Sequence, residues 1–321
     1  MMDNTVLSNI DETLIVERLD SMGLFLNMIR GFCMALADSV PGVSGGTIAF
    51  VLGFYDEFIG ALYLLTHGGK NMKRHALLFL GKLGIGWVIG MASSVVVLGS
   101  LFTTHIYELS SLFLGLSIFS LPLIARDEKK ALRQHSRLVY MIIGIVLVLV
   151  ITYFNPTSGQ GTNVEISHLT PALALYIFVC AMIAICAMVL PGISGSTMLL
   201  IFGLYVPVIS AVREFLHMNL SYFPVLALFG SGVIAGIIGI IRIVKNALEK
   251  HHAAMVYFII GLMVGSLYAI VMGPTTLKIP QPAMTLETFS PLCFLLGGAL
   301  LAALNGLRRF SEKKLHPEEE A

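Results

Sequence analysis

Charged residues are scarce in this sequence. Of its 321 residues only 20 are Lys or Arg and 19 are Asp or Glu, which makes 12%. Soluble domains carry about 25% charged residues, whereas here 56% of residues are hydrophobic and the mean hydropathy is +0.87. These values exclude an ordinary soluble domain and predict an integral membrane protein. The apolar runs are long and continuous, which favours spanning helices over the short alternating strands of a membrane barrel.

Motifs of enzymes, metal sites and nucleotide-driven engines are also missing. The sequence has no Walker loop with its GK[ST] ending, no HExxH and no Cys/His cluster. A net charge of +1 gives no indication of a nucleic-acid partner. We therefore expect a protein that is not an enzyme and that uses no metal or cofactor. The cysteines lie in apolar segments without CxxC spacing, which favours buried small side chains over disulfides; they are Cys33, Cys180, Cys186 and Cys293.

Apolar segments alternate with linkers of contrasting charge. Lys and Arg cluster in the linkers near 70–74, 126–137 and 242–250 and after 307, whereas 155–170 has none and 273–289 has only Lys278. Since basic loops stay cytoplasmic, both chain ends are predicted to be cytoplasmic. Residues 1–22 are acidic and predict a solvent-side or interfacial segment rather than a secretory leader. The predicted segments are 23–40, 46–65, 76–103, 109–125, 137–154, 171–190, 196–212, 223–244, 254–272 and 290–307.

One short motif occurs twice. ADSVPGVSGGTIAFVLGFY (37–55) returns as AMVLPGISGSTMLLIFGLY (187–205), 150 positions later, and ten of 26 positions in the windows 37–62 and 187–212 are identical. Weaker similarity continues, since GLSIFSLPLI aligns Ser120 with Ser266. Each repeat then holds five segments, and an odd repeat enters the membrane from the opposite side the second time, as in inverted-repeat transporters. We predict repeat 1 at 23–154, an external linker at 155–170, repeat 2 at 171–307 and a cytoplasmic tail at 308–321.

The motif itself predicts a helix broken inside the membrane. Proline lacks a donor and glycine tolerates left-handed backbone, so Pro41-Gly42 and Pro191-Gly192 end one helix, and Ser44 is placed to cap the next. The free N–H groups there favour an anion, aided by nearby hydroxyl groups. A re-entrant hairpin, followed in each repeat by three transmembrane helices, is the favoured form. A full crossing with a broken middle remains open, as does a role of the small residues in close packing alone. The predicted anion-binding positions are Ser44, Gly45, Gly46, Thr47, Ser194, Gly195, Ser196 and Thr197.

Two ionisable residues precede the first break. Arg30 lies inside an apolar segment and is the candidate counter-charge for a bound anion, unless it extends to the cytoplasmic interface. Asp38 would repel an anion unless protonated or paired, so it is a candidate carrier of a coupling proton. The second repeat has Cys180 and Met188 at these places. Lys82 and Arg242 lie near segment ends, where long basic side chains reach toward the interface, and their roles stay open.

Both motifs resemble the paired signature of the polyprenyl-phosphate transporter family of bacteria and archaea, and the resemblance covers nearly the whole chain. It implies a flippase that returns undecaprenyl phosphate, the lipid carrier of cell-envelope synthesis, from the outer to the inner leaflet of the bacterial cytoplasmic membrane. The family's motif positions, carried over to this chain by the resemblance, are Arg30, Asp38, Pro41, Gly42, Ser44, Gly45, Gly46 and Thr47, with Pro191, Gly192, Ser194, Gly195, Ser196 and Thr197. Ser39 departs from the family's usual apolar residue. A small-anion channel or exchanger and, more remotely, a membrane enzyme are the alternatives; oligomeric state, coupling ion and lipid chain length stay open.

Overall fold

The computed structural model describes residues 15–16, 19, 23–38, 44–94, 105–154, 169–276 and 280–315. Every regular element within these ranges is a helix, as the apolar segments predict, and no strand occurs there. Pro41, Gly42, most of segment 1–22, most of linker 155–170 and the end of the 308–321 tail lie outside the described residues. The predictions for those parts stay predictions.

The α-helices of the described ranges differ greatly in length, from 4 to 28 residues. Short 3-10 segments occur at His135–Arg137, Leu220–Tyr222 and Gly273–Thr276. In chain order the α-helices are α1 (Leu24–Asp38), α2 (Gly45–Val51), α3 (Tyr55–His67), α4 (Lys70–Ser93), α5 (Ile106–Asp127), α6 (Lys129–Leu132), α7 (Leu138–Phe154), α8 (Pro171–Val189), α9 (Gly195–Ile201), α10 (Tyr205–Leu216), α11 (Phe223–Lys250), α12 (His252–Met272) and α13 (Pro291–Leu315).

Five helices in the described part are long and apolar enough to cross a membrane, namely α4, α5, α8, α11 and α12. The pair Gly195–Ile201 and Tyr205–Val212 also passes when taken together, but its two parts are bent by 111° at their break. The apolar helices Leu138–Phe154 and Pro291–Gly306 are shorter. A span needs about 20 residues, so these lengths make the chain a multi-pass membrane protein.

Each half has a second helix break that the predicted apolar segments do not contain. The sequence predicts single apolar segments at 46–65 and 196–212, whereas the structure ends one helix and starts another at Gly53 and Gly203, whose φ values are +67° and +66°. At the Gly53 break, Gly53 N–H donates to Phe50 O and Phe54 N–H donates to Ala49 O, both at 3.0 Å. Residues 199–204 repeat these two bonds. This is the Schellman ending, which favours glycine because it needs a left-handed residue.

Replacing Gly203 with alanine tests that turn. A non-glycine residue pays about 1–2 kcal/mol for left-handed backbone, so we expect the free energy of unfolding in detergent micelles to fall by roughly this amount. Gly230→Ala in α11 is the matched control, because a Cβ there meets no atom within 4 Å and alanine favours helix. Equal stability of the two variants would contradict the role given to Gly203.

Corresponding helices of the two halves pair in the same way. α1 packs along α4 as α8 packs along α11, while α5 packs along α13 as α12 packs along α7. Glycines make the close approaches: a Cβ on Gly115 would collide with the carbonyl oxygen of Phe294, and one on Gly261 with that of Met141. Gly115 and Gly261 occupy corresponding positions in the alignment of the halves. The last helix of each half therefore packs on the other half.

Candidate functional site

The two motif turns lie against each other. The backbone N–H of Gly192 donates to Thr47 Oγ1 at 2.8 Å, and the Tyr55 hydroxyl donates to the carbonyl oxygen of Val189 at 3.2 Å. A Cβ on Gly46 would lie 3.0 Å from that same Val189 oxygen, so only glycine allows this approach without a shift. The structure thus joins residues that are about 145 positions apart in sequence into one polar site.

The first turn is buried and internally capped. Ser44 is the N-cap of α2, as the sequence predicts: its Oγ accepts from Thr47 N–H at 3.3 Å and lies 3.1 Å from Thr47 Oγ1. Ser44, Gly45, Gly46 and Thr47 are all buried. A cap of this kind stabilises a helix by about 1 kcal/mol. The hydroxyl groups of the first motif are therefore already engaged in holding the turn.

The Asp38 carboxylate accepts hydrogen bonds from the donor groups beside this turn. Its Oδ1 accepts from Gly45 N–H at 2.6 Å, and its Oδ2 accepts from the indole N–H of Trp87 in α4 at 3.0 Å. Hydrogen bonds to an ionised carboxylate are shorter and stronger than neutral ones. The chain's own carboxylate thus lies where the sequence places an anion, and it remains partly exposed. Trp87, the one tryptophan of the chain, was not among the predicted site residues.

The second turn is more open than the first. Gly192 has φ of +89° and packs on the backbone of Leu262. Ser194 makes no side-chain cap bond to α9; its Oγ lies 2.7 Å from Ser196 Oγ instead. Ser196 and Thr197 are partly exposed, whereas their counterparts in the first motif are buried. The hydroxyl groups of the second motif are therefore the more accessible donors of the predicted site.

Arg30 lies on α1, far from Ser44, at the opposite end of the hairpin that α1 forms with α2. Its side chain is 5% exposed, its Nη1 donates to Asn27 Oδ1 at 3.3 Å, and its Cζ lies 4.6 Å from the centre of the Phe54 ring. Phe54 follows the end of α2, and the eight residues from Arg30 to Asp38 span about 12 Å of helix. Within the described part of the chain, these contacts of Arg30 lie away from the Ser44 turn.

Asn27 is a polar residue that sequence reasoning missed. It is fully buried, and its Nδ2 is a buried donor without a hydrogen-bond partner. Leaving such a group unsatisfied costs about 1–3 kcal/mol, which is a reason to look for an acceptor that binds there. The signal in the sequence was its spacing, because Asn27 lies one turn before Arg30 on the same helix face.

The remaining predicted residues lie outside this site. Arg242 is exposed and Lys82 is partly exposed, which fits reach toward the interface. The four cysteines are free thiols; Cys180 is buried, as predicted, whereas the other three are only partly buried. In the described part of the chain, no group of three or more His, Cys, Asp and Glu residues could hold a metal ion.

Comparison with known proteins shows the family of this chain. Residues 34–288 match the undecaprenyl phosphate translocase-like family, described as VCA0040-like. The chain belongs to this family. Relatives within the translocase-like family are the polyprenyl-phosphate transporter of Vibrio cholerae, 33% identical over 258 residues (77% of either chain), and that of Staphylococcus aureus, 35% identical over 255 residues (78% of this chain and 88% of the relative). No solved structure matches this chain.

Proposed function

We propose that the protein moves undecaprenyl phosphate between the leaflets of the bacterial cytoplasmic membrane, from the outer to the inner leaflet. The contact between the two motif turns carries this proposal, because it joins donors from both halves of the chain at one site. A phosphate group in hydrocarbon is prohibitively costly without polar partners. The names of the two relatives support a polyprenyl phosphate as the lipid.

The phosphate would reach the turns through the second motif. Ser196 and Thr197 offer partly exposed hydroxyl groups, and the buried Ser194 lies against Ser196, while Asp38 covers the donors of the first motif. Phosphate would bind Gly45 N–H and the Trp87 indole only when the Asp38 carboxylate moves away or takes up a proton. Proton uptake at Asp38 would then be coupled to substrate binding.

Arg30 and Asn27 would form a second contact point for the phosphate along α1. A guanidinium group pairs well with phosphate oxygens, and the Asn27 amide supplies the donor that lacks a partner. The separation of about 12 Å along α1 is too large for one phosphate to touch both places at once. In this scheme the headgroup contacts Arg30 and the turns in succession.

The architecture that we propose consists of two inverted repeats with re-entrant motif hairpins and both chain ends in the cytoplasm. Matching helix pairs in the two halves support it, as does the charge of the linkers. Rocking of one repeat against the other would then expose the site to each leaflet in turn.

Leaflet exchange in liposomes tests the function. Purified protein is reconstituted with undecaprenyl phosphate in the outer leaflet, and the fraction that a membrane-impermeant phosphatase hydrolyses is followed over time. We expect that fraction to fall faster than in protein-free liposomes. An equal rate, combined with rapid chloride flux through the same protein, would favour the small-anion channel instead.

Asp38→Asn tests the proton coupling. The asparagine oxygen still accepts a hydrogen bond from Gly45, but the amide cannot take up a proton, so we expect the transport rate to lose its dependence on pH. The rate is measured in the same liposomes across a series of imposed pH values. Asp56 is an exposed residue of α3, and the Asp56→Asn variant should keep the wild-type dependence of the transport rate on pH. A wild-type profile in the Asp38 variant would remove the proton from the mechanism.

A further inference from the structure

An apolar cavity lies beside the polar site. Its volume is about 430 Å³, and it is partly open and bounded by α1 and α2 on one side and by α5 and α13 on the other. The polar side chains in its described lining are His105 and Glu108, which pair at 3.1 Å. Representative residues of the hydrophobic lining are Cys33, Leu36, Ile48, Leu112, Leu116 and Cys293.

The cavity adjoins the phosphate-binding elements directly. Ile48 follows Thr47 in α2, while Cys33 and Leu36 lie on α1 between Arg30 and Asp38. Polar donors and an apolar void therefore share the same two helices. This combination is complementary to an amphiphile whose charged group is joined directly to a hydrocarbon chain.

The corresponding positions of the second half carry hydrophobic side chains of similar or larger size. There Met198 stands for Ile48, Phe258 for Leu112 and Leu262 for Leu116, and these side chains pack with Val148 into a hydrophobic cluster. Leu262 is fully buried. Protein interiors are normally close-packed, so the open space in the first half calls for an occupant.

We propose that this cavity binds the part of the prenyl chain that is next to the phosphate of the transported lipid. The inference rests on the proposed function and adds a specific site for the chain. The Glu108 carboxylate disfavours phosphate at its end of the cavity because like charges repel. The headgroup is thereby directed toward the motif end, and the chain lies along the hydrophobic lining. Selection for a prenyl phosphate then depends on both parts of the molecule.

Filling the cavity tests the proposal. Cys33→Phe adds bulk from α1 and Leu300→Phe from α13, while Leu296→Phe, on an exposed position of the same helix outside the lining, is the matched control. Because binding strength follows the apolar surface buried, we expect both filling variants to bind undecaprenyl phosphate at least about tenfold more weakly in nanodiscs. Methyl phosphate, which has no chain, should bind all proteins equally.

The native cysteines supply a second readout that needs no substitution. Undecaprenyl phosphate should protect Cys33 and Cys293 from N-ethylmaleimide, whereas Cys186 in α8 lies outside the cavity and should stay reactive. Equal protection by phosphatidylglycerol would overturn the proposal in favour of a general lipid slot. Unchanged affinity in correctly folded filling variants would overturn it too, while wild-type binding of the lipid would leave the proposed function intact. If wild-type protein does not bind the lipid at all, both proposals fail.

Discussion

Arg30→Ala is expected to slow leaflet exchange of undecaprenyl phosphate at least about thirtyfold, because removing one partner of a buried charge pair typically costs 2–5 kcal/mol. The buried guanidinium compensates the phosphate charge in our scheme, and alanine leaves that charge without a partner along α1. The rate is measured in reconstituted liposomes, and circular dichroism with gel filtration establishes that the variant is folded.

Two variants control this result. Arg242→Ala removes an exposed arginine from α11 and should leave the rate unchanged. Arg30→Lys keeps the charge but loses the planar fork that matches phosphate oxygens, so its rate should lie between wild type and alanine. A folded Arg30→Ala protein with wild-type exchange would reduce Arg30 to a structural residue that packs on Phe54.

Thr47→Val is expected to have the second largest effect. Valine has nearly the same shape, but it removes the acceptor of the Gly192 N–H and leaves that buried donor unsatisfied. We expect the free energy of unfolding to fall by about 1–3 kcal/mol and the exchange rate to fall with it, because the two turns lose one of the two side-chain bonds that join them. Denaturant titration in micelles gives the first quantity, and the liposome assay gives the second.

Thr47→Ser separates the hydroxyl from the methyl group. Serine keeps the acceptor and should retain the link to Gly192, so its exchange rate should be close to wild type. Thr66→Val is the matched control for losing a hydroxyl, since among the described residues Thr66 Oγ1 bonds to its neighbour His67 and to carbonyl groups of its own helix. Equal losses in the Thr47 and Thr66 valine variants would mean that the bond between the turns has no special role.

Local chemistry explains what could be predicted from the sequence. The all-helical membrane fold follows from long apolar runs, and the Ser44 cap follows from a serine placed between a helix-breaking Pro-Gly pair and a new apolar run. The duplication also indicated where functional residues gather. The breaks at Gly53 and Gly203 were predictable in the same way, since glycine and tyrosine recur in both copies, but apolar continuity hid them.

Contacts between distant segments could not be predicted in this way. Trp87 is 49 positions from Asp38, and nothing in a single sequence indicates that an indole N–H rather than Arg30 would meet that carboxylate. Helix geometry places Arg30 about 12 Å from Asp38, which left a direct pair possible only with a long reach of the arginine side chain. What it did not show was that α2 runs back along α1, so that Arg30 meets Phe54 at the end of the hairpin.

The two halves of the structure are in different local states. The first turn is capped and covered by Asp38, beside an open cavity, whereas the second turn has the partly exposed Ser196 and Thr197 and lies beside a hydrophobic cluster. Inverted repeats that alternate between two arrangements would exchange these states during transport. The missing acidic residue at Met188 means that only the first turn has an internal anion to displace.

The indole N–H of Trp87 offers the most direct measurement on the central claim, which is that phosphate replaces the Asp38 carboxylate at the joined turns. Because the chain has one tryptophan, protein labelled with ¹⁵N-tryptophan in nanodiscs gives one indole resonance. We expect undecaprenyl phosphate to shift that resonance saturably, and undecaprenol, which lacks the phosphate, to leave it in place. A resonance that stays unchanged at lipid concentrations supporting transport would contradict the account.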